Sequence, residues 1–366
     1  MLNNKTVAVV IPAYNEESQI GSVIETIPAF VDRIIIVNDC SNDKTEDVVR
    51  AYIEKDSTTK ILIRNKLDVD FKTNRYNWAD EVMHQQGKNE IRLFNPSEVV
   101  NKTPDSDRII LINHKVNGGV GSAVATGYKW CKDHDIFCTS KIDGDGQMDP
   151  TELESICIPI VNDEVDYVKG NRLIHGSAWL VIPKVRYFGN SILSILTKIA
   201  SGYWHVSDTQ TAFSAISLKA LKGIRLHEIY RGYGYPNDLL VKLNISLCSI
   251  REVAIKPIYN VGENSKMKIS KVIPLISWLL FKSFFKRLWI KYLFNDFHPL
   301  FLLYNFAIFL GIIWLPYLLK VSHIIHNGEH VSFETLFAFS FLAFTSFQSL
   351  LFAMWMDIQD NDRLYK

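Results

Sequence analysis

The sequence predicts an α/β fold, a mostly parallel sheet covered by helices, followed by an amphipathic helix and two membrane-spanning helices. Three observations carry this. Over the first 260 residues, β-branched runs alternate with helical patterns. Near the end, residues 300–319 and 336–356 contain no charged side chain. Between these parts, VIPLISWLLFKSFFKRLWIKYLF (272–294) mixes large apolar residues with cations.

In chain order, the strand candidates are VAVVI (7–11), RIIIV (33–37), KILI (60–63), RIILI (108–112), IFCTSKI (136–142) and VDYVKG (165–170). Helical patterns occupy 16–26, 45–52, 122–132 and 151–161. Such βα units place ligands at the carboxyl ends of the strands. The polar stretch 65–107 breaks the rhythm and is too long for an ordinary connection, so it reads as an insertion, either a surface excursion or a subunit contact.

At 366 residues, 48% hydrophobic and 22% charged with net charge +1, the chain can bury a substantial core and is neither disordered nor an overall basic nucleic-acid binder. Its five cysteines are scattered without CxxC or Cys/His spacing, which argues against a disulfide framework or structural zinc and for a reducing compartment. The opening run MLNNKTVAVVIP is short and broken by Pro12, unlike a signal peptide. His114, His175, His205 and His227 show no ligand spacing and read as structural or surface residues.

The two uncharged runs are each long enough to cross about 30 Å of hydrocarbon. Their connector, 320–335, is too short for a domain, so the pair predicts a hairpin with both ends on one side. Residues 264–291 carry Lys266, Lys268, Lys271, Lys282, Lys286, Arg287 and Lys291 without an acid, which puts that side in the cytoplasm. The cations of 272–294 cover about half of a helical wheel, and the expected reading is an interfacial helix whose charges meet anionic head groups. A helix packed on the soluble domain is the alternative.

Three strand ends carry the chemistry: IPAYNEE (11–17), VNDCSNDKT (37–45) and KIDGDGQMDP (141–150). Capping by Asn42, Asp43 or Thr45 explains any one of them, but all three at the ligand-binding edge point to a shared pocket. Asp143, Asp145 and Gln147 are oxygen donors, which suits Mg²⁺ or Mn²⁺ rather than zinc. An EF-hand register through Asp143, Asp145 and Glu154 fails at Met148, where glycine is required. A divalent cation at a sheet edge would hold a diphosphate. Unit charges about 4 Å apart interact by roughly 4 kcal/mol at an effective dielectric of 20, enough to offset much of the charge on a departing nucleotide. The segment VNGGVGSAVATG (116–127) lacks a GKS or GKT ending and the last glycine of a dinucleotide fingerprint, so Gly118, Gly119 and Gly121 read as close packing at a helix start.

These motifs, with GNR (170–172), DTQTAF (208–213), GENSK (262–266) and the two terminal helices, resemble family 2 glycosyltransferases of the GT-A fold. More narrowly, the chain is similar to polyprenyl-phosphate glycosyltransferases of the dolichyl-phosphate mannose synthase and undecaprenyl-phosphate type. The resemblance implies a GT-A domain over 1–262, a basic juxtamembrane segment over 263–296 and a transmembrane hairpin with a short cytoplasmic tail over 297–366. It implies that Pro12, Tyr14 and Glu16 line the nucleoside site, that Asp39 contacts base or ribose, and that Asp143, Asp145 and Gln147 hold metal and diphosphate. Arg172 and Arg186 would face the acceptor phosphate, Lys266 and Lys268 would meet the lipid phosphate, and Asp208 corresponds to an active-site acid. Ala212 departs from the family's usual glycine.

The implied activity is inverting transfer of one sugar from a UDP- or GDP-linked donor to a polyprenyl phosphate at the cytoplasmic face of a bacterial or archaeal plasma membrane. It needs Mg²⁺ or Mn²⁺ and no nucleic acid, and a homo-oligomer is compatible with it. A phosphate acceptor is already anionic, its second ionisation lying near pH 6, so no strong general base is required. Asp208, or Asp238 as a second candidate, is then expected to position a substrate, and Arg172 to reduce repulsion between two phosphate-bearing reactants. A processive polysaccharide synthase is the alternative enzyme, but the chain lacks its QxxRW segment and has two membrane helices only. A non-catalytic nucleotide-sugar-binding membrane protein is the alternative outside enzymes.

Overall fold

Strands whose two faces are both covered are mostly apolar, and β1 (Val7–Ala13) and β2 (Arg33–Asn38), with only Arg33 and Asn38 polar, are buried at every position. The computed structural model describes residues 1–56, 62–68, 74–182, 184–258 and 269–366. Helices α1 (Ile20–Thr26) and α2 (Thr45–Lys55) follow the first two strands. The stretch expected as an insertion folds into α3 (Trp78–Glu90) and a short strand β3 (Ser97–Val99). Next come β4 (Ile109–His114), α4 (Val120–Asp133), β5 (Cys138–Lys141), α5 (Leu153–Val161) and β6 (Tyr167–Asn171). The domain closes with α6 (Ala178–Val181), α7 (Lys184–Ser201), β7 (Ser214–Ser217), α8 (Leu218–Gly223), α9 (Tyr235–Ile245) and β8 (Ile250–Ala254).

The sheet has the order β3-β4-β2-β1-β5-β7-β6-β8. Strands β4, β2, β1 and β5 are parallel, as the alternation predicts, and β6 and β8 are parallel to each other. Among the described residues, only β3 and β7 run antiparallel to the rest. Because β7 is antiparallel to both β5 and β6, the carboxyl ends of β5 and β6 lie at the same edge. One apolar layer packs Val124, Tyr128 and Leu240 against the sheet, and the other packs Ile20, Val49 and Ile156. The run at 60–63 is a correction. Residues 60 and 61 lie outside the described residues, and Leu62 and Ile63 form no strand, Ile63 donating instead to the carbonyl of Asp105 at 2.9 Å.

Helix α10 (Ile269–Trp289) runs on as a π-helical turn, Ile290–Asn295, before α11 (Pro299–His326) and α12 (Phe333–Asp362). The last two helices are long and apolar enough to cross a membrane. They pack side by side, the Ser346 hydroxyl donating to the Ala307 carbonyl at 2.9 Å. Beyond α12 the chain returns to the sheet, where Ile250 donates to the Leu364 carbonyl at 2.7 Å and Lys366 to that of Ile250 at 3.0 Å. The start of α11 and the end of α12 thus both lie next to the sheet domain.

The cations of α10 correct the sequence reading. Arg287 is 0% exposed and grips Asp357 with two nitrogens at 2.7 and 2.8 Å. Lys291 is buried against Asp360 at 3.1 Å, and Lys286 meets Glu228 at 2.8 Å. Arg287 and Lys291 therefore face protein rather than head groups, and the exposed Lys286 is paired; Lys282, over the Trp278 ring at 5.1 Å, stays on the exposed side with Leu275, Trp278, Phe281 and Trp289. The physical reason is that a buried charge is tolerated only when paired, and here the partners come from α12 and from the segment before α9. Arg287→Met, which strands Asp357, is expected to cost about 3–5 kcal/mol and to lower Tm in detergent, whereas Arg287→Met combined with Asp357→Leu recovers most of that loss. Equal Tm values for the single and double variants would show that the pair is not coupled.

Candidate active site

The loops after β1 and β2 are tied to each other before any ligand is considered. Asn15 and Cys40 take left-handed backbone conformations, with φ of 57° and 60°. The Asn15 amide donates to Ser41 Oγ at 2.9 Å, and the Asn42 amide to Asn15 Oδ1 at 2.8 Å. The Glu16 amide donates to Thr45 Oγ1 at 2.9 Å. Pro12 is buried at the end of β1, and Tyr14 and Glu16 are half-buried beyond it.

Asp39, expected at the base or ribose, is buried and organises the glycine loop. Its Oδ1 accepts from the Gly118 amide and its Oδ2 from the Gly119 amide, each at 2.8 Å, and His114 Nδ1 lies 2.7 Å from Oδ1. Burial opposes ionisation of Asp39, but His114 and the two amides outweigh it and hold the carboxyl below its usual range. Gly121 meets a second loop, its amide donating to the Arg231 carbonyl at 2.8 Å, and a Cβ at this position would collide with the carbonyl of Tyr230. Asp238 fixes that second loop by accepting the Tyr230 amide at 2.8 Å and pairing with Lys242. It therefore stands behind the glycine loop.

The acidic loop follows β5 and abuts the end of β1, where Gly144 packs against the Pro12 carbonyl. This contact brings the expected nucleoside and diphosphate groups together. Lys141, 1% exposed, forms an ion pair with Asp143. Asp145 accepts the Gln147 amide at 3.0 Å, and among the described residues no cation pairs with it. Burial, and then the neighbouring charge of Asp143, push its carboxyl up to about 6. Among the described residues no group of three or more His, Cys, Asp or Glu could hold a metal. Two carboxylates and the Gln147 amide nonetheless fit a hard divalent cation that completes its sphere with phosphate oxygens and water, and such a cation would relieve the unbalanced charge at Asp145. Asp149 caps the turn Pro150–Glu152 through the Thr151 amide at 2.9 Å, and Glu154 is exposed on α5, away from an EF-hand arrangement.

At the carboxyl end of β6, Arg172 and Asp208 pair with each other. Arg172 Nε lies 2.8 Å from Asp208 Oδ2 and Nη2 3.0 Å from Oδ1. Asp208 is 2% exposed; burial opposes its charge, but Arg172 more than compensates and holds the carboxyl below its usual range. Glu252 on β8 accepts the amides of Ser207 and Asp208, each at 3.0 Å, and Lys169 on β6 bonds to the Thr211 carbonyl. Ala212 is partly buried against the core beside this loop. Arg186 lies on α7, but its side chain is outside the described residues, as are Lys266 and Lys268.

Sequence reasoning missed Lys141, Lys169, Glu252 and the linking role of His114. One signal was available: lysine inside IFCTSKI and VDYVKG interrupts a buried-strand pattern, and lysine is almost never fully buried unless paired.

The family model for glycosyl transferase family 2 matches residues 8–78 and 96–225, leaving most of α3 unmatched. Over 289 residues the chain is 29% identical to UDP-N-acetylglucosamine–dolichyl-phosphate N-acetylglucosaminyltransferase of Methanococcus voltae, spanning 79% of this chain and 97% of that protein. An uncharacterized protein of Methanocaldococcus jannaschii is 23% identical over 259 residues, 70% of this chain and 84% of its own. A dolichyl-phosphate beta-glucosyltransferase of Trichomonas vaginalis is 23% identical over 301 residues, 77% of this chain and 74% of its own. Among solved structures, glucosyl-3-phosphoglycerate synthase from Mycobacterium tuberculosis aligns over 78% of each chain at a TM-score of 0.47 and 17% identity.

The Asp39 geometry makes a prediction. Asp39→Ala leaves the part-buried Gly118 amide without its acceptor, at about 1–3 kcal/mol, and leaves the Gly119 amide only its longer bond to Asn117 Oδ1 at 3.2 Å. Hydrogen exchange at 116–121 is expected to accelerate at least tenfold while the sheet amides stay protected, and unchanged exchange there would remove Asp39 from this role.

Proposed function

The chain belongs to glycosyl transferase family 2, and from that premise we propose that it transfers a single sugar, with inversion, from a nucleotide sugar to a polyprenyl phosphate at a membrane surface. The observation that carries this reading is the Arg172–Asp208 pair. A hydroxyl acceptor needs a carboxylate base that is free to take a proton. Asp208 is locked in two bonds to Arg172 with its proton affinity lowered, which suits an acceptor that arrives already ionised. The names of the Methanococcus and Trichomonas relatives, which specify dolichyl phosphate, support the same acceptor class, and the former favours UDP as the donor's nucleotide.

In this reading Pro12, Tyr14, Glu16 and Asp39 shape the nucleoside site, Asp39 mainly by holding the glycine loop. Asp143, Asp145 and Gln147 hold a divalent cation, Mg²⁺ or Mn²⁺, which when bound neutralises charge developing on the leaving diphosphate. Arg172 receives the acceptor phosphate, Asp208 fixes its guanidinium, and Asp238 holds the loop behind the glycines. Arg186, Lys266 and Lys268 belong to the acceptor side. Residues 1–262 form the catalytic domain on the cytoplasmic face, 263–296 the juxtamembrane segment and 297–366 the membrane hairpin.

Full-length protein in detergent, given labelled UDP-N-acetylglucosamine, other UDP- and GDP-sugars, a short polyprenyl phosphate and Mg²⁺ or Mn²⁺, is expected to yield a polyprenyl-phosphate monosaccharide identified by mass. Chelation with EDTA should abolish transfer, and Asp145→Asn should lower it by about 10²–10³-fold, the size of a lost electrostatic stabiliser. Label appearing only in polymer or in water-soluble product would defeat the acceptor assignment.

A further inference from the structure

Beneath the Arg172–Asp208 pair lies a lysine that these roles leave unused. Lys169 sits in the middle of β6, 0% exposed, with its ammonium on the carbonyl of Thr211. The β6–β8 register sets Glu252 beside it, and the β6–β7 register sets Ser214 on its other flank. Glu252 in turn accepts the amides of Ser207 and Asp208. One ammonium and one carboxylate therefore hold the 207–211 loop at its two ends, the ammonium at a carbonyl and the carboxylate at amides.

Stability alone gives no reason for a charge here. Placing an ion in a strand interior carries a desolvation penalty of several kcal/mol, and apolar residues of similar volume commonly replace buried ion pairs with no loss. The position is informative because of what stands above it. Arg172 and Asp208 by themselves form a neutral pair with little attraction for an anion. Glu252 adds a second carboxylate, so without Lys169 the group of Arg172, Asp208 and Glu252 would carry a net negative charge beside the partly exposed guanidinium and repel an anion; the Lys169 ammonium cancels it.

We propose that Lys169 is a positioning residue for the transfer reaction: its ammonium anchors the 207–211 loop through Thr211 and shares the charge of Asp208, so that Arg172 can receive the anionic acceptor. The identity of that acceptor rests on the function proposed above; the anchoring of the loop does not. The charged groups facing Lys169 are Asp208 from the loop, Glu252 from β8, Arg172 from the end of its own strand and Lys141 from β5. Burial lowers the ammonium to about 8, partly offset by Asp208 and Glu252. It is therefore charged at neutral pH and loses its proton as the pH rises through that value.

The test uses full-length protein in detergent with UDP-N-acetylglucosamine or whichever donor proves active, a short polyprenyl phosphate, and the variants Lys169→Met and Lys169→Arg. In the wild type, kcat/KM for the acceptor should fall as pH rises through about 8. Lys169→Met should lower it about 10- to 100-fold at pH 7, the size of a lost charge-assisted hydrogen bond, and abolish the alkaline fall while donor KM stays within about twofold. Lys169→Arg, charged throughout, should recover most of the rate and push the fall to higher pH. An alkaline fall that persists unchanged in Lys169→Met, or equal losses in the two variants, overturns the proposal. If the protein transfers no sugar to polyprenyl phosphate, the acceptor reading fails and hydrogen exchange decides the anchoring. Amides of 207–211 should then exchange at least about tenfold faster in Lys169→Met than in Lys169→Arg, and equal rates overturn it. Should neither variant fold, the wild type decides, because 207–211 exchange that shows no added acceleration above pH 8 also overturns it.

Discussion

The join between sheet and apolar hairpin depends on the ion pair of Arg287 and Asp357. Two charges removed from water cost several kcal/mol each unless every remaining hydrogen bond is made. Here they are made. Beyond its two bonds to Asp357, Arg287 donates to the carbonyls of Ala200 at 2.9 Å and Ile199 at 3.1 Å, the open C-terminal end of α7. Asp357 also accepts from the Tyr292 hydroxyl at 2.8 Å and from Asn361 at 2.9 Å. Asn361 in turn accepts from Asn244 on α9 at 2.7 Å. Gly202 has φ of 77° and passes so close to the guanidinium that any side chain would displace it. One pair thus fixes α7, α9, α10 and α12 relative to one another, and α7 leads directly into the loop that carries Asp208.

Charge at the carboxyl edge of the sheet follows a related pattern. Asp39 is balanced by His114 and two amides, Asp143 by Lys141, Asp208 by Arg172, and Asp238 by Lys242 and an amide. Each of these carboxylates has structural work to do before a ligand arrives. Asp145 differs: half-buried beside Asp143, it accepts the Gln147 amide of its own loop and, among the described residues, has no ion-pair partner of its own, the charge of Lys141 acting on it without pairing. The imbalance is local, and in the function proposed above a cation from outside corrects it beside the donor diphosphate.

The parts of this arrangement that read directly from the sequence are those encoded within a few residues. Buried parallel strands announce themselves as VAVVI and RIIIV, and their ends as clusters of Asn, Asp and Glu. Strand β7, with the sequence SAIS, carries two serines in four residues and gives no such signal. Partnerships across long stretches of chain were also hidden. The wheel of α10 shows where Lys286, Arg287 and Lys291 point relative to one another, but their acids are Glu228, Asp357 and Asp360, far away in sequence. Part of a cationic face, all but Lys282, is therefore claimed by protein acids that the wheel does not show. Likewise DTQTAF marked Asp208 as chemically interesting, but that Arg172 would claim it depends on β7 inserting between β5 and β6, a topology no local pattern specifies.

Helix length explains how the anchor can be charged at all. At 1.5 Å per residue, the 28 residues of α11 and the 30 of α12 extend about 42 and 45 Å, well beyond the roughly 30 Å of a hydrocarbon layer. With the hairpin inserted as proposed, the surplus of α11 falls at its end, with Lys320, His323 and His326, and that of α12 at its end, with Asp357, Asp360 and Asn361. These two ends lie on opposite sides of the layer. The polar cluster of α12 then sits on the catalytic side, outside the lipid tails and inside protein, where Arg287 and Lys291 can reach it without the larger penalty of a charge in hydrocarbon. Removing one residue from α12 would turn Asp357 by about 100° around the helix axis and away from Arg287. The length of the second helix and the docking of the catalytic domain are therefore a single constraint.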